Sequence, residues 1–451
     1  MDVVIFDLDF TLVNTRACQP YLVSQFGRES IKKAIENGIV KTSLYDNDIV
    51  DYFNELQTYD DVLVIVVSDS PKDYCLAVLK SHGFEIPDEC VFGSVGKPCV
   101  DFSSITLSLF LDGYIDLGGN NHYIVVGDSA KDIYFAHQIK CPSVFARWGK
   151  EFNNKLISDW SQPTLEVYDL EDLKSVLEKF IHNGIAYKEN NIKEGYVTVD
   201  EMEVANHTIP GENIGYSREY IPMLEQCKTE GHRFAWFEMN LTIKKAKYLT
   251  IEELDLNRGV PYFSRSEKIL TSKGLKTIAG HYIHDFYTWM DSKGITGNVA
   301  IIPVPSSLPF ECNRSNPTRV VSEWWAAWAN DKQDDYNLKV CPLVERWKPT
   351  EASHKRGGVR TIAPHLESMG VYAATDKNEL SDVSAVIIFD DVVTSGSQMN
   401  AVATIIKNLD FIDDTVDIYG YALAKTTHPN PFAGMNLSNL FKELDEAISK
   451  N

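Results

Sequence analysis

Two short apolar runs, VVIFDL (3–8) and SAVIIFDD (384–391), each stop abruptly at carboxylates. Runs of this length bounded by polar loops mark strands buried on both faces, which occur mainly in parallel sheets covered by helices. That constraint points to layered α/β architecture. The first run is followed by further buried-strand candidates, VLVIVVS (62–68) and HYIVVG (122–127), and by helical patterns KDYCLAVLKSHG (72–83) and AKDIYFAHQIK (130–140). The alternation fades after LEDLKSVLEKFIHNG (170–184) and resumes later in the chain. There a helix is predicted over 278–294, a strand over 298–307 and a helix over 318–330, with strands over 339–343, 384–391 and 417–425.

A chain of 451 residues is too long for one ordinary core. The expected fold class is therefore α/β with two doubly wound domains, the first Rossmann-like. The expected boundaries are residues 1–182, with a small insert at about 16–57, a linker or hood over 183–240, and a second domain over 241–451. The stretch from about 185 to 230 lacks clear periodicity, which is why it reads as a connection.

Composition narrows the function classes. The formal net charge is −21, which repels phosphate backbones and disfavours nucleic acid as a partner. No apolar run approaches the roughly 20 residues of a membrane span. The opening MDVVIFDLDF reads directly into a strand without a basic leader, so no signal peptide is expected. Eight cysteines are scattered with no CxxC pair, which suits free thiols and a cytoplasmic location rather than a zinc site. Trp324, Trp325 and Trp328 fall at helical spacing and read as core or interface rather than a base-stacking platform. His281 and His284 read as packing or homo-oligomer contacts.

Ligands of open α/β sheets bind beyond the carboxyl ends of the strands. Asp7, Asp9 and Thr11 follow the first strand, Ser68 ends the second, Lys97 lies in GSVGKP, and Asp128 and Asp132 follow the third. These residue types suit phosphoryl transfer. A carboxylate beside Mg²⁺ can attack phosphorus, and a second can protonate the leaving oxygen and then activate water. Ser68 and Lys97 would bind phosphoryl oxygens.

DLDFT, Ser68, Lys97 and GDSAKD, in that order, resemble the four motifs of haloacid dehalogenase (HAD) superfamily phosphatases over roughly residues 1–180. The resemblance implies Asp7 as nucleophile and Asp9 as general acid/base. It also implies Thr11 in substrate binding and Asp7, Asp9, Asp128 and Asp132 around Mg²⁺. It further implies a small cap and an open site, which goes with larger substrates.

In IIFDDVVTSGSQ the acids are adjacent, so an extended strand cannot project both the same way. A loop of small residues follows, and a helix starting near Gln398 would turn its positive end toward an anion. This arrangement suits a ribose 5-phosphate, with the loop cradling the phosphate and the carboxylates meeting the sugar hydroxyls. The stretch resembles the phosphoribosyl-diphosphate (PRPP) motif of type I phosphoribosyltransferases, in Asp390, Asp391, Thr394, Ser395, Gly396 and Ser397.

PVPSS, containing Ser306 and Ser307, resembles the pyrophosphate-binding turn of the same family, in its ComF-like branch. LVERWKPTEASHKRGGVR resembles the mobile catalytic loop, with Arg346, Lys355 and Arg356 as the implied catalytic cations. The zinc element usual in ComF-like proteins is missing, and so is the nucleophilic N-terminal cysteine of glutamine-using relatives. Together the two resemblances imply a bifunctional Mg²⁺-dependent enzyme. It would transfer phosphoribosyl from PRPP to a nucleobase-like or amine acceptor and hydrolyse a phosphomonoester. The alternative is a phosphatase regulated by a non-catalytic PRPP- or nucleotide-sensing domain.

Overall fold

The computed structural model describes residues 1–22, 25–149, 154–200, 204–240, 251–255, 260–263, 270–312, 316–331, 336–350 and 361–427. In the N-terminal part six strands form one parallel sheet. They are β1 (Asp2–Phe6), β2 (Val62–Val67), β3 (Val91–Phe92), β4 (His122–Gly127), β5 (Ser143–Ala146) and β6 (Leu165–Val167). Their order is β3-β2-β1-β4-β5-β6. From β1 the chain winds outward to β3, then returns to the other side of β1 and winds outward again. This is the 3-2-1-4-5-6 order of a doubly wound sheet, and its reversal point lies between β1 and β4.

The insert after β1 carries helices α1 (Gln25–Glu36) and α2 (Ile49–Leu56). Ile31, Ile35, Phe53 and Leu56 join Val4, Phe6 and Val64 in one core, so the insert is fastened to the sheet face. Phe53 sits 5.6 Å from Phe6 and 5.0 Å from Phe84 between ring centroids. Helices α3 (Lys72–His82), α4 (Ala130–Gln138) and α5 (Leu170–Asn183) complete the covering layers.

The segment expected as linker or hood over 183–240 is more than a connection. It supplies β7 (Tyr196–Val197) and β8 (Ile214–Tyr220), and β8 pairs in parallel with β14 (Asp417–Thr426). Between β8 and β14 in sequence lie β9 (Gly297–Pro303), β10 (Tyr336–Val340), β11 (Val344–Arg346), β12 (Met369–Tyr372) and β13 (Ala385–Val393). The second parallel sheet has the order β8-β14-β13-β9-β10, and a small antiparallel sheet has the order β11-β12-β7. As a half-exposed edge strand, β8 lacks the continuous apolar run by which central strands are recognised. The second sheet reverses its winding between β9 and β13.

Helices α6 (Leu270–Ser292) and α7 (Pro317–Asn330) pack on this sheet. Trp325 is fully buried, with its indole N–H donating to the Ala279 carbonyl at 2.8 Å, while Trp324 and Trp328 stack at 6.3 Å. These tryptophans are packing residues.

The two sheets share a buried aromatic seam in which Tyr134 and Phe145 pack with Tyr196, Phe310 and Tyr372. Trp160 lies 5.2 Å from both Phe310 and Tyr372 between ring centroids. Within the seam the Tyr134 hydroxyl donates to the Glu311 carboxyl, whose pKa burial pushes up to about 7. All eight cysteines are free thiols. No helix among the described residues is long and apolar enough to cross a membrane.

Candidate active sites at two sheet edges

At the reversal point of the first sheet, the ladder continues one residue past β1, with the Asp7 N–H donating to the Val126 carbonyl at 2.8 Å. The chain then turns sharply. The Leu8 carbonyl accepts from the backbone of Leu12 at 3.1 Å and Val13 at 3.2 Å, and Phe10 adopts a φ of 66°. This turn separates Asp7 from Asp9, although strand alternation alone would point them the same way.

Asp7, Asp128 and Asp132 are all buried, with ligand oxygens within 4.8 Å of one another. Lys97 Nζ donates to Asp7 Oδ1 and to Asp132 Oδ1, each at 2.6 Å. The second oxygen of Asp132 caps α4, accepting from the Ser129 N–H at 3.1 Å and its hydroxyl at 2.6 Å. This is a capping box whose acid also serves the site. Burial drives the Asp7 carboxyl well above the usual carboxylate range, and Lys97 pulls against that while Asp132, Asp128 and Asp9 reinforce it. Burial disfavours the Lys97 ammonium, but Asp132, Asp7 and Asp69 outweigh it and hold its pKa above that of an ordinary lysine.

Three buried carboxylates facing one ammonium leave excess negative charge in a nearly dry site. An all-oxygen donor set of this kind fits a hard divalent cation. The cradle is close: a Cβ on Gly127 would lie 2.3 Å from Asp132 Cγ, and one on Gly149 would lie 2.2 Å from the Phe10 carbonyl and 2.4 Å from Asp128 Cβ. Gly149→Ala is therefore expected to displace Asp128. It should weaken divalent-cation affinity by at least about tenfold, the scale of disturbed support around a metal ligand. Calorimetric titration with Mg²⁺ checks this, and unchanged affinity would refute the cradle.

Asp9 stands outside this triad. Its Oδ1 accepts from the Tyr74 hydroxyl at 2.7 Å, and its Oδ2 accepts from Ser70 at 2.7 Å and Ser68 at 3.3 Å. Ser68, expected on phosphoryl oxygens, thus serves Asp9 and also accepts from the Ser70 N–H at 3.0 Å. Thr11, expected to bind substrate, is buried and its hydroxyl donates to Asp128 at 3.5 Å. Ser70 and Tyr74 escaped the sequence reading. Ser70 stands just before α3 and Tyr74 in its first turn, so both meet Asp9 from the start of that helix.

At the reversal point of the second sheet, β13 pairs with β9 only as far as Phe389 opposite Pro303, while its pairing with β14 runs on to Val393. Beyond Phe389 the β9 side is open, and the acids satisfy their own backbone. Asp391 N donates to Asp390 Oδ1 at 2.8 Å, and Val392 N to Asp391 Oδ1 at 2.7 Å. Burial and the adjacent Asp391 push the Asp390 carboxyl well above its usual range. Thr394, Ser395, Gly396 and Ser397 then turn into helix α9 (Ser397–Asn408), with Gly396 at a φ of 75°, where glycine is favoured.

The Ser306–Ser307 turn faces this loop. Gln398 donates to the Pro305 carbonyl at 2.6 Å and ties the two together. Arg346, expected as a catalytic cation, is buried, and its Nε donates to the Ser306 carbonyl at 2.7 Å. It braces the turn from behind. Lys355 and Arg356 lie outside the described residues.

No protein-family model matches the chain, and no curated protein sequence matches it. Solved structures resemble part of it. A hydrolase from Pseudomonas syringae is 16% identical over 40% of this chain and 99% of its own, with a TM-score of 0.31. A haloacid dehalogenase-like family hydrolase from Streptococcus pneumoniae is 16% identical over 39% of this chain and 97% of its own, with a TM-score of 0.27.

Proposed function

We propose that the chain is a bifunctional enzyme, a phosphomonoesterase at the first sheet edge and a phosphoribosyltransferase at the second. The observation that carries the first half is the buried Asp7–Lys97–Asp132 bridge beside Asp128, placed at the reversal point of a doubly wound sheet. Lys97 engages Asp7 through Oδ1, which leaves Oδ2 to attack phosphorus. The ester oxygen departs with a proton from Asp9, and Asp7 carries the phosphoryl group. Asp9 then takes a proton from water as that water attacks phosphorus, which releases phosphate and restores Asp7. A Mg²⁺ held by Asp7, Asp128 and Asp132 would neutralise charge building on the phosphoryl oxygens.

The second half is supported by Asp390 and Asp391, the small-residue loop at a helix N-terminus and the Ser306–Ser307 turn, which meet at one reversal point. There the carboxylates would hold the ribose hydroxyls of PRPP, the loop its 5-phosphate and the turn its diphosphate, while an acceptor nitrogen displaces diphosphate at the anomeric carbon. Hydrolysis of the resulting riboside 5′-monophosphate at the first site would pull a reversible transfer forward.

Release of diphosphate from PRPP across a panel of bases and amines tests the transferase, and comparison of wild type with Asp7→Asn tests the coupling. The monophosphate is expected to accumulate in the variant and the dephosphorylated riboside in wild type. Absence of accumulation, despite diphosphate release, would refute the coupling. The seam joining Tyr134 to Glu311 favours a second reading, in which the second domain senses PRPP and adjusts the phosphatase. That reading requires PRPP to change the phosphatase rate with no diphosphate released.

A further inference from the structure

His365 has no role in the chemistry described so far. It lies in the short helix α8 (Ala363–Leu366), which packs against α9. Its Nε2 approaches Ser397 Oγ at 3.5 Å, the residue where the phosphate-cradling loop becomes helix. Its other ring nitrogen is buried and has no partner among the described residues. Burial and then the nearby Arg346 charge hold its pKa at about 4, so the ring is neutral around pH 7.

The contacts around Ser397 limit what its hydroxyl can do. A hydroxyl offers one donor and two acceptor lone pairs. Ser395 Oγ donates to Ser397 Oγ at 3.2 Å and fills one lone pair. If the neutral imidazole donates from Nε2, it fills the other. The Ser397 proton is then needed by neither neighbour and is free to be donated to an anion at the loop.

The support behind the ring joins both halves of the site. Ser368 donates to the Pro364 carbonyl at 2.7 Å and the His365 carbonyl at 3.2 Å, and also accepts from Arg346. Arg346 in turn holds the Ser306 carbonyl at 2.7 Å. The backbone that carries His365 is thus tied, through Ser368, to the residue that braces the opposite turn.

We propose that His365 is a positioning residue for the terminal phosphate of a ribose 5-phosphate ligand, its imidazole N–H orienting the Ser397 hydroxyl as a donor to that phosphate. The proposal rests on the transferase reading. The full chain is titrated calorimetrically with ribose 5-phosphate and with PRPP, as wild type, His365→Ala and His365→Gln. The alanine variant is expected to bind both about tenfold more weakly, the worth of one well-placed hydrogen bond. The glutamine variant, whose amide N–H can replace Nε2–H, should return to within about threefold of wild type. Phosphomonoesterase activity at Asp7 should be unchanged in both. If wild type binds both ligands and the alanine variant binds them equally well, the role of His365 is refuted and the transferase reading stands. Equal weakening in both variants would mean that the ring only packs, which also refutes it. If wild type binds neither ligand, the transferase reading fails and this role fails with it.

Discussion

Asp7→Asn is expected to lower phosphomonoester turnover by at least about 10³-fold, the scale on which removal of a reacting group is felt. The amide keeps the shape of the carboxylate and can still accept from Lys97, so the loss reports nucleophilicity rather than collapse. The folded pKa of Asp7 lies above that of an unfolded aspartate, so its contribution to stability is present at low pH and is lost as the pH rises. Replacing it with a neutral amide removes that penalty, so without divalent cation the variant should unfold no earlier than wild type at pH 7. A second substitution separates the two acids. Asp9→Asn should hurt an alkyl phosphate by roughly 10²–10⁴-fold but a nitrophenyl phosphate far less, because that leaving group departs without a proton. Retention of more than a tenth of wild-type turnover by Asp7→Asn on either substrate would remove Asp7 from the nucleophile's role.

The strands that deliver the acids were legible because burial on both faces writes them as continuous apolar runs. β1, β4 and β13 could be read directly, and so could the residues placed just beyond them. The edge strand β8 was not, because its solvent side breaks the run with Ser217, Arg218 and Glu219. The reversal points were illegible for a different reason, since strand order is set by long-range pairing that leaves no local trace. Spacing also leaves unread the contacts that these side chains make within the sites. Thr11 and Ser68 stand where a ligand could be met, yet each spends its hydroxyl on a neighbouring carboxylate. Arg346 reads as an available cation, but burial turns it into a brace for Ser306. Tyr74 falls within the helical pattern over 72–83 and is buried there, and nothing local shows that its hydroxyl ends on Asp9.

Lys97→Met is expected to destabilise the protein by about 3–5 kcal/mol at pH 7 in the presence of a chelator, the penalty for stripping a buried charge of its partner. Lys97 is the cation bridging Asp7 and Asp132, and both acids are almost entirely shielded from water. Methionine fills similar volume but supplies no charge, so the carboxylates are left to repel one another. The pH dependence has a definite sign. Without the ammonium nothing offsets the burial that already raises the Asp7 carboxyl, so the deficit should shrink as the pH falls toward 4. Mg²⁺ offers a second route to neutrality. If the three acids hold a divalent cation, adding it should restore much of the lost stability, and the rise in unfolding midpoint should be larger in the variant than in wild type. Thermal unfolding with chelator and with Mg²⁺, each at pH 4.5 and pH 7, reads all three effects. A variant as stable as wild type at pH 7 in chelator would show that the cluster needs no cation, and a Mg²⁺ response no larger than that of wild type would show that the ammonium and the metal do not share the task of neutralising these acids.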